Sequence, residues 1–199
     1  MERRLNRKGY SLIAGVDEAG RGPLAGPVVA CAVILKDSAL SAHIDDSKAL
    51  TAGMRERAYS EIVKKSFIGI GIVDEKTIDE INIYQATRLA MEKALSGLEV
   101  PPEYILIDGR IKVKTSSPTR FIIRGDSKCL SIAAASIVAK VTRDWLMREY
   151  DSLYPAYGFK AHKGYPTRRH KEALLKHGPS PIHRRSYAPV REALRGMDT

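Results

Sequence analysis

Four acidic residues stand where short apolar runs give out. Asp17 and Glu18 follow Ser11–Val16, Asp108 follows Tyr104–Ile107, and Asp126 comes just after Phe121–Arg124. A carboxylate at the end of a buried strand carries a desolvation cost unless something compensates it. Strand ends converge along one edge of a sheet, where sites form. Carboxylates gathered there repel one another and need a cation, and hard oxygen ligands suit Mg²⁺ or Mn²⁺. Taken singly, each acid also fits a plainer role, since Asp108-Gly109 and Gly125-Asp126-Ser127 are ordinary turn sequences. The recurrence at three strand ends is what points to a metal cage. Neighbouring strand residues face opposite ways. Asp17 and Glu18 are therefore expected to share a site through a kink, which Gly20 would permit.

Gly20-Arg21-Gly22-Pro23-Leu24-Ala25 formally matches the G-x-G-x-x-A dinucleotide pattern. That pattern should open a helix, whereas Pro23 and Pro27 flank this segment and Val28–Leu35 reads as a strand. Dinucleotide binding is therefore rejected. What remains is a backbone that a ligand can approach closely, plus one guanidinium, suited to a phosphate or a sugar edge. A tight turn explains the glycines equally well. His162, His170, His177 and His183 cluster late in the chain, but no cysteine pair or His-Glu-x-x-His pattern supports zinc. Solvated or phosphate-contacting rings are the expectation. No serine sits in a nucleophile elbow, and Tyr150, Tyr154 and Tyr157 are expected to pack.

The elements that must position these residues alternate in type. Ser11–Val16, Val28–Leu35 and Phe67–Val73 read as strands from their length and β-branched content, the first two pairing antiparallel because no helix separates them. Thr51–Lys65 reads as a helix with Thr51 as its cap, and Ile83–Leu98 as a second, loosened by Gly97 and stopped by Pro101-Pro102. Tyr104–Ile107 and Phe121–Arg124 are further strands. A long alanine-rich helix runs from Leu130 to about Leu153, closed by Pro155. Short helices are expected near Arg168–Lys176 and Pro189–Arg195. The pattern is α/β: a mixed sheet of about five strands with helices packed on it. Residues 1–154 read as a core and residues 155–199 as a small helical appendage within the same domain.

Net charge is +10, from 33 Lys+Arg against 23 Asp+Glu. Residues 155–199 hold ten Lys+Arg and three Asp+Glu, so the last quarter supplies most of the excess. A polyanionic partner fits that field, as does a merely solvated basic face. No apolar run of about 18 residues appears, and the charged start lacks the marks of a signal peptide. Cys31 and Cys129 both lie in apolar runs, which suits buried thiols in a reducing cytoplasm. No membrane partner and a cytoplasmic location are expected.

These residues together resemble type 2 ribonuclease H (ribonuclease HII) of the bacterial kind, from about Ser11 to Val190. The resemblance rests on Gly15–Pro27, Asp46-Ser47-Lys48-Ala49-Leu50, Ile107-Asp108-Gly109 and Gly125-Asp126-Ser127-Lys128. It continues through Ile132–Lys140 with Thr142-Arg143-Asp144, His162-Lys163-Gly164-Tyr165, and Gly178–Ser186. It implies an RNase H-like fold with a C-terminal helical extension. It also implies hydrolysis of RNA in RNA–DNA hybrids, including single ribonucleotides embedded in duplex DNA, leaving 5′-phosphate and 3′-hydroxyl ends. Removal of misincorporated ribonucleotides and of RNA primers would be its roles. By position, the acidic quartet of catalytic metal ligands falls on Asp17, Glu18, Asp108 and Asp126, holding two Mg²⁺ or Mn²⁺ at the catalytic step, with Asp17 bridging. Substrate contacts fall on Gly20, Arg21 and Gly22, on Tyr165 beside them, and on Lys48 near a phosphate. Arg110 departs from the small polar residue common after Asp-Gly. Type 3 enzymes carry a large N-terminal domain and a different glycine segment, which disfavours that assignment. A monomer is expected, and no replication-clamp contact is legible. Two alternatives stay open: another metal-dependent nuclease of the same superfamily, and a non-catalytic nucleic-acid-binding module.

Overall fold

The structure is a computed structural model that describes residues 1–36, 44 and 51–196. Along the chain run α1 (Glu2–Asn6), β1 (Ile13–Ala19), β2 (Val28–Leu35), α2 (Ala52–Lys65), β3 (Ser66–Val73) and α3 (Glu75–Ser96). They are followed by β4 (Tyr104–Asp108), β5 (Thr119–Ile122), α4 (Leu130–Leu153), α5 (Phe159–His162), α6 (Arg168–His177) and α7 (Ala188–Arg195). The five strands form one mixed sheet in the order β3-β2-β1-β4-β5. β1, β2 and β3 make an antiparallel meander, while β4 lies parallel to β1 and β5 parallel to β4. The switch has a local cause: α3 intervenes before β4 and lets the chain cross back, which a short turn cannot do.

α4 covers one face of the sheet and α3 the other. On the α3 side, Ala14, Val16, Ala30, Ala32 and Ile107 pack with Ala86, Ala90 and Met91. On the α4 side, Cys31 and Val33 meet Ala134, Ile137 and Val138. Small residues bring the layers close. A Cβ at Gly15 would run into the α4 backbone at Ser131 and Ile132. α2 begins as expected, with Thr51 Oγ1 accepting from Met54 N–H at 3.3 Å. α1 reaches over to α4, where Glu2 Oε1 accepts from Ser131 N–H at 3.0 Å and caps the helix from outside.

Three expectations change. β1 does not kink after Val16: its ladder with β2 continues through Asp17↔Cys31, Glu18↔Ala30 and Ala19↔Val29, because an unbroken partner strand keeps the pairing. β5 sits two residues earlier than Phe121–Arg124. Arg124 turns left-handed (φ 55°) and ends the extended run before a 3₁₀ turn, Gly125–Ser127. α3 starts at Glu75, where Asp74 caps it, and Asn82 (φ 64°) then breaks it. Asn82 Oδ1 accepts from Tyr84 and Gln85 N–H and restarts the helix at the point expected for its beginning. Among the described residues no helix is long and apolar enough to cross a membrane.

Candidate active site

β1 and β4 run parallel side by side, and their register pairs Val16 with Ile107. The next residue of each strand is Asp17 and Asp108, so two carboxylates emerge together at the sheet's end. A cleft of about 360 Å³ opens there, bordered by Asp17, Glu18, Gly20, Arg21, Gly22, Arg55, Asp108, Ser136, Lys140 and Tyr165. Because the cleft lies across the end of the sheet, acids from both faces of β1 border it without a kink.

Asp17 is 6% exposed. Burial pushes its pKa well above the usual carboxylate value, and the charges of Glu18 and Asp108 push it further. The Ser136 hydroxyl and the Glu18 N–H, which donates to Asp17 Oδ1 at 2.7 Å, pull the other way. Glu18 is also raised by burial, against the pull of Arg21 at 3.2 Å. Asp108 Oδ1 accepts from Gly125 N–H at 2.6 Å, which ties the 3₁₀ turn to the end of β4. Asp126 sits in that turn, buried. It borders a separate hollow with Glu2 and Lys128 rather than the cleft itself. Each cleft acid leans on its own partner, and among the described residues no three acids, histidines or thiols are already gathered as an ion would gather them. The donor chemistry nevertheless fits a divalent cation: hard oxygens whose charges raise Asp17 against each other are what such an ion relieves.

The segment Gly20–Pro27 is held from beneath by two buried arginines. Arg184 donates to the carbonyls of Gly20 (2.6 Å), Arg21 (3.0 Å) and Gly26 (2.7 and 2.9 Å). Arg143 donates to Ala25 (3.1 Å), Pro27 (3.0 Å) and Lys163 (3.0 Å). Burial lowers both guanidinium pKa values, Arg143 to about 10 with Arg184's charge adding to the effect. Gly20 is required to be glycine: its φ is 96°, and a Cβ would strike Arg143 and the Pro27 carbonyl. Leu24 N–H donates to Gly164 O at 2.8 Å, tying the segment to the loop that bears Tyr165. Tyr165 is 42% exposed, and its Cε1 lies 3.6 Å from where a Cβ on Gly22 would sit.

Asp17, Glu18, Gly20, Arg21, Gly22, Asp108 and Tyr165 thus border one cleft, whereas Asp126 lines a different hollow, one residue beyond the Gly125 amide that Asp108 holds. Lys48 lies outside the described residues. The expectation of solvated histidines fails for His170 and His183, which are fully buried and hydrogen-bonded to each other. Tyr157 packs as expected, stacked on Phe159. Sequence reasoning gave no role to Arg55, Ser136, Lys140, Arg143 or Arg184. Ser136, Lys140 and Arg143 carry a usable signal, polar residues at helical spacing within an apolar helix. Arg184 carries none, since its carbonyl partners Gly20 and Gly26 stand more than 150 residues earlier.

The family model for ribonuclease HII matches residues 14–190. A ribonuclease HII of Bacillus licheniformis is 54% identical over 191 residues, covering 96% of this chain and 74% of that one. The crystal structure of ribonuclease H2 from Pyrococcus horikoshii OT3 aligns with a TM-score of 0.82 at 28% identity, covering 94% of this chain and 99% of that one. A structure of Bst-RNase HIII in complex with Mn²⁺ shares the fold, with a TM-score of 0.74 at 18% identity over 94% of this chain and 70% of that one.

Proposed function

The chain belongs to the ribonuclease HII family, and we propose that it cuts RNA–DNA hybrids, including single ribonucleotides embedded in duplex DNA, at the cleft where β1 and β4 end. The observation that carries this reading is one cleft bordered at once by Asp17, Glu18, Asp108, Gly20, Arg21, Gly22 and Tyr165. A carboxylate group serves phosphodiester hydrolysis, and the glycine segment with a tyrosine serves recognition of a sugar. Asp17, Glu18 and Asp108 would hold divalent metal, with Asp126 contributing from the adjoining turn. Bound there, Mg²⁺ or Mn²⁺, two at the catalytic step, would supply Lewis-acid stabilisation of the phosphate and an activated water.

The chain's own residues do the selecting. Telling RNA from DNA requires contact with the 2′-hydroxyl, and the backbone of Gly20–Gly22 can approach it closely for want of side chains. The Tyr165 ring would lie against the sugar of the next nucleotide, where a deoxyribose leaves room and a 2′-hydroxyl crowds it. Arg55 and Lys140 place positive charge at the cleft wall, beside the path of the phosphates. Residues 1–154 act as the catalytic core. Residues 155–199 act as a basic appendage of the same domain, presenting exposed Lys160, Arg168, Arg169 and Lys171 to the duplex. We read the working unit as a monomer.

The test is Mg²⁺- or Mn²⁺-dependent cleavage of four substrates: a duplex with one ribonucleotide, a uniform hybrid, duplex DNA and duplex RNA. Cutting of the first two, leaving 5′-phosphate and 3′-hydroxyl ends, is the expected result. Equal cutting of duplex DNA would instead indicate another nuclease of the superfamily, and binding without cutting a non-catalytic module.

A further inference from the structure

A hydrogen-bond relay through two buried histidines runs from the stretch after α6 to the backbone of Tyr165. Ser180 N–H donates to His183 Nδ1 at 2.9 Å. A backbone amide can only donate, so His183 Nδ1 accepts, and the proton of the neutral ring sits on Nε2. That atom stands 3.0 Å from His170 Nε2. It donates there, which leaves the His170 proton on Nδ1. His170 Nδ1 lies 2.9 Å from the carbonyl oxygen of Tyr165, which can only accept. The direction of every bond is thus set by the two backbone ends.

The surroundings make the relay costly to break. Neither ring is more than 1% exposed. Phe159 packs against both, and His162 stacks on His170 with centroids 4.4 Å apart. A polar group left unpaired in such a place costs its full desolvation. The Tyr165 carbonyl also accepts from Thr167 N–H at 2.8 Å, so the peptide after Tyr165 is gripped from two directions. Neither histidine borders the cleft.

We propose that His170 and His183 are positioning residues for Tyr165: their relay fixes the backbone from which the tyrosine ring stands against Gly22, and so sets how well the cleft distinguishes a single ribonucleotide from a uniform hybrid. This rests on the reading that Tyr165 contacts the sugar beside the ribonucleotide. Both rings must be neutral for the relay to hold, because a proton added to His170 Nε2 would set two donors face to face.

The experiment uses the full chain carrying His170→Leu, Tyr165→Ala, or both, with stability measured for each. Cleavage is followed on a single-ribonucleotide duplex and on a uniform hybrid. His170→Leu should lower the first rate more than the second, on the order of tenfold, the worth of one ordinary hydrogen bond. In the Tyr165→Ala background it should change the ratio no further, since the two act through one contact. His170→Asn, whose Nδ2 can replace Nδ1 as donor, should recover most of the preference. If His170→Leu lowers both rates alike, or its effect multiplies with that of Tyr165→Ala, the relay does not act through Tyr165 and the proposal is overturned while the tyrosine's role stands. If Tyr165→Ala leaves the ratio unchanged, the tyrosine reading fails and the proposal falls with it. Nitrogen NMR of the unsubstituted protein gives a check that needs no variant. His183 should carry its proton on Nε2 and His170 on Nδ1, and the opposite tautomer on either ring overturns the relay.

Discussion

The same histidine pair should make the fold sensitive to mild acid. Burial is the main reason both rings titrate low, His170 at about 4 and His183 at about 3, against an ordinary value of 6.5. The charge of His162 lowers His170 further, and that of His170 lowers His183. In the unfolded chain both rings return to about 6.5. Above that pH neither state is protonated and the pair has no effect. As pH falls below 6.5 the unfolded chain takes up protons that the folded one refuses, so stability drops and goes on dropping until the folded rings titrate. At pH 5 the unfolded rings lie about 1.5 pH units below their midpoint. At about 1.4 kcal/mol per pH unit, that is up to about 2 kcal/mol for each ring and about 4 kcal/mol for the pair. Against a total stability of about 5–15 kcal/mol the loss is large. The assay is urea unfolding at pH 8 and pH 5 for the unsubstituted protein and for His183→Asn, which keeps an acceptor for Ser180 N–H but does not titrate. Stability lost between the two pH values should be smaller in the variant by about 2 kcal/mol. Asp17, raised by burial, gains stability on acidification, but it does so in both proteins and cancels. Equal losses in the two proteins would show that the rings do not resist protonation, and the reasoning from burial would be refuted.

Asp17→Asn should abolish metal-dependent cleavage yet raise the urea midpoint at neutral pH, because it removes a carboxylate that burial, Glu18 and Asp108 all disfavour; an active variant would refute its catalytic assignment. Neutralising Arg168, Arg169 and Lys171 together should flatten the dependence of hybrid binding on salt, by about 0.7–0.9 in the log–log slope for each phosphate that the protein ceases to neutralise; an unchanged slope would mean that this surface faces away from substrate. Gly15→Ala should cost about 1–3 kcal/mol by overpacking and lower activity with it. Its Cβ meets α4 backbone at Ser131 and Ile132, so β1 and α4 must part beside Asp17; wild-type stability by urea unfolding would contradict the close packing.

What could be read from the chain alone was whatever a local signal declares. β2 was legible to the residue, since a central strand covered on both faces needs an unbroken apolar run. So were the Thr51 cap of α2 and the span of α4, which ends two residues before Pro155. The four acids were legible as candidates because charge at the end of an apolar run is locally conspicuous. The tertiary structure decided the rest. It paired β1 with β4 in parallel, so that Asp17 and Asp108 emerge side by side, and it set Asp126 in a neighbouring turn. It kept β1 straight through Glu18, because strand pairing depends on the partner strand as well as on the residue. Above all it buried Arg143, Arg184, His170 and His183. By type arginine belongs at the surface and histidine is intermediate. The arginines are compensated by carbonyls from distant parts of the chain, as when Arg184 holds Gly20 and Gly26 and Arg143 holds Ala25 and Pro27. A residue's sequence neighbours do not disclose partners of that kind, because they become neighbours only when the chain folds.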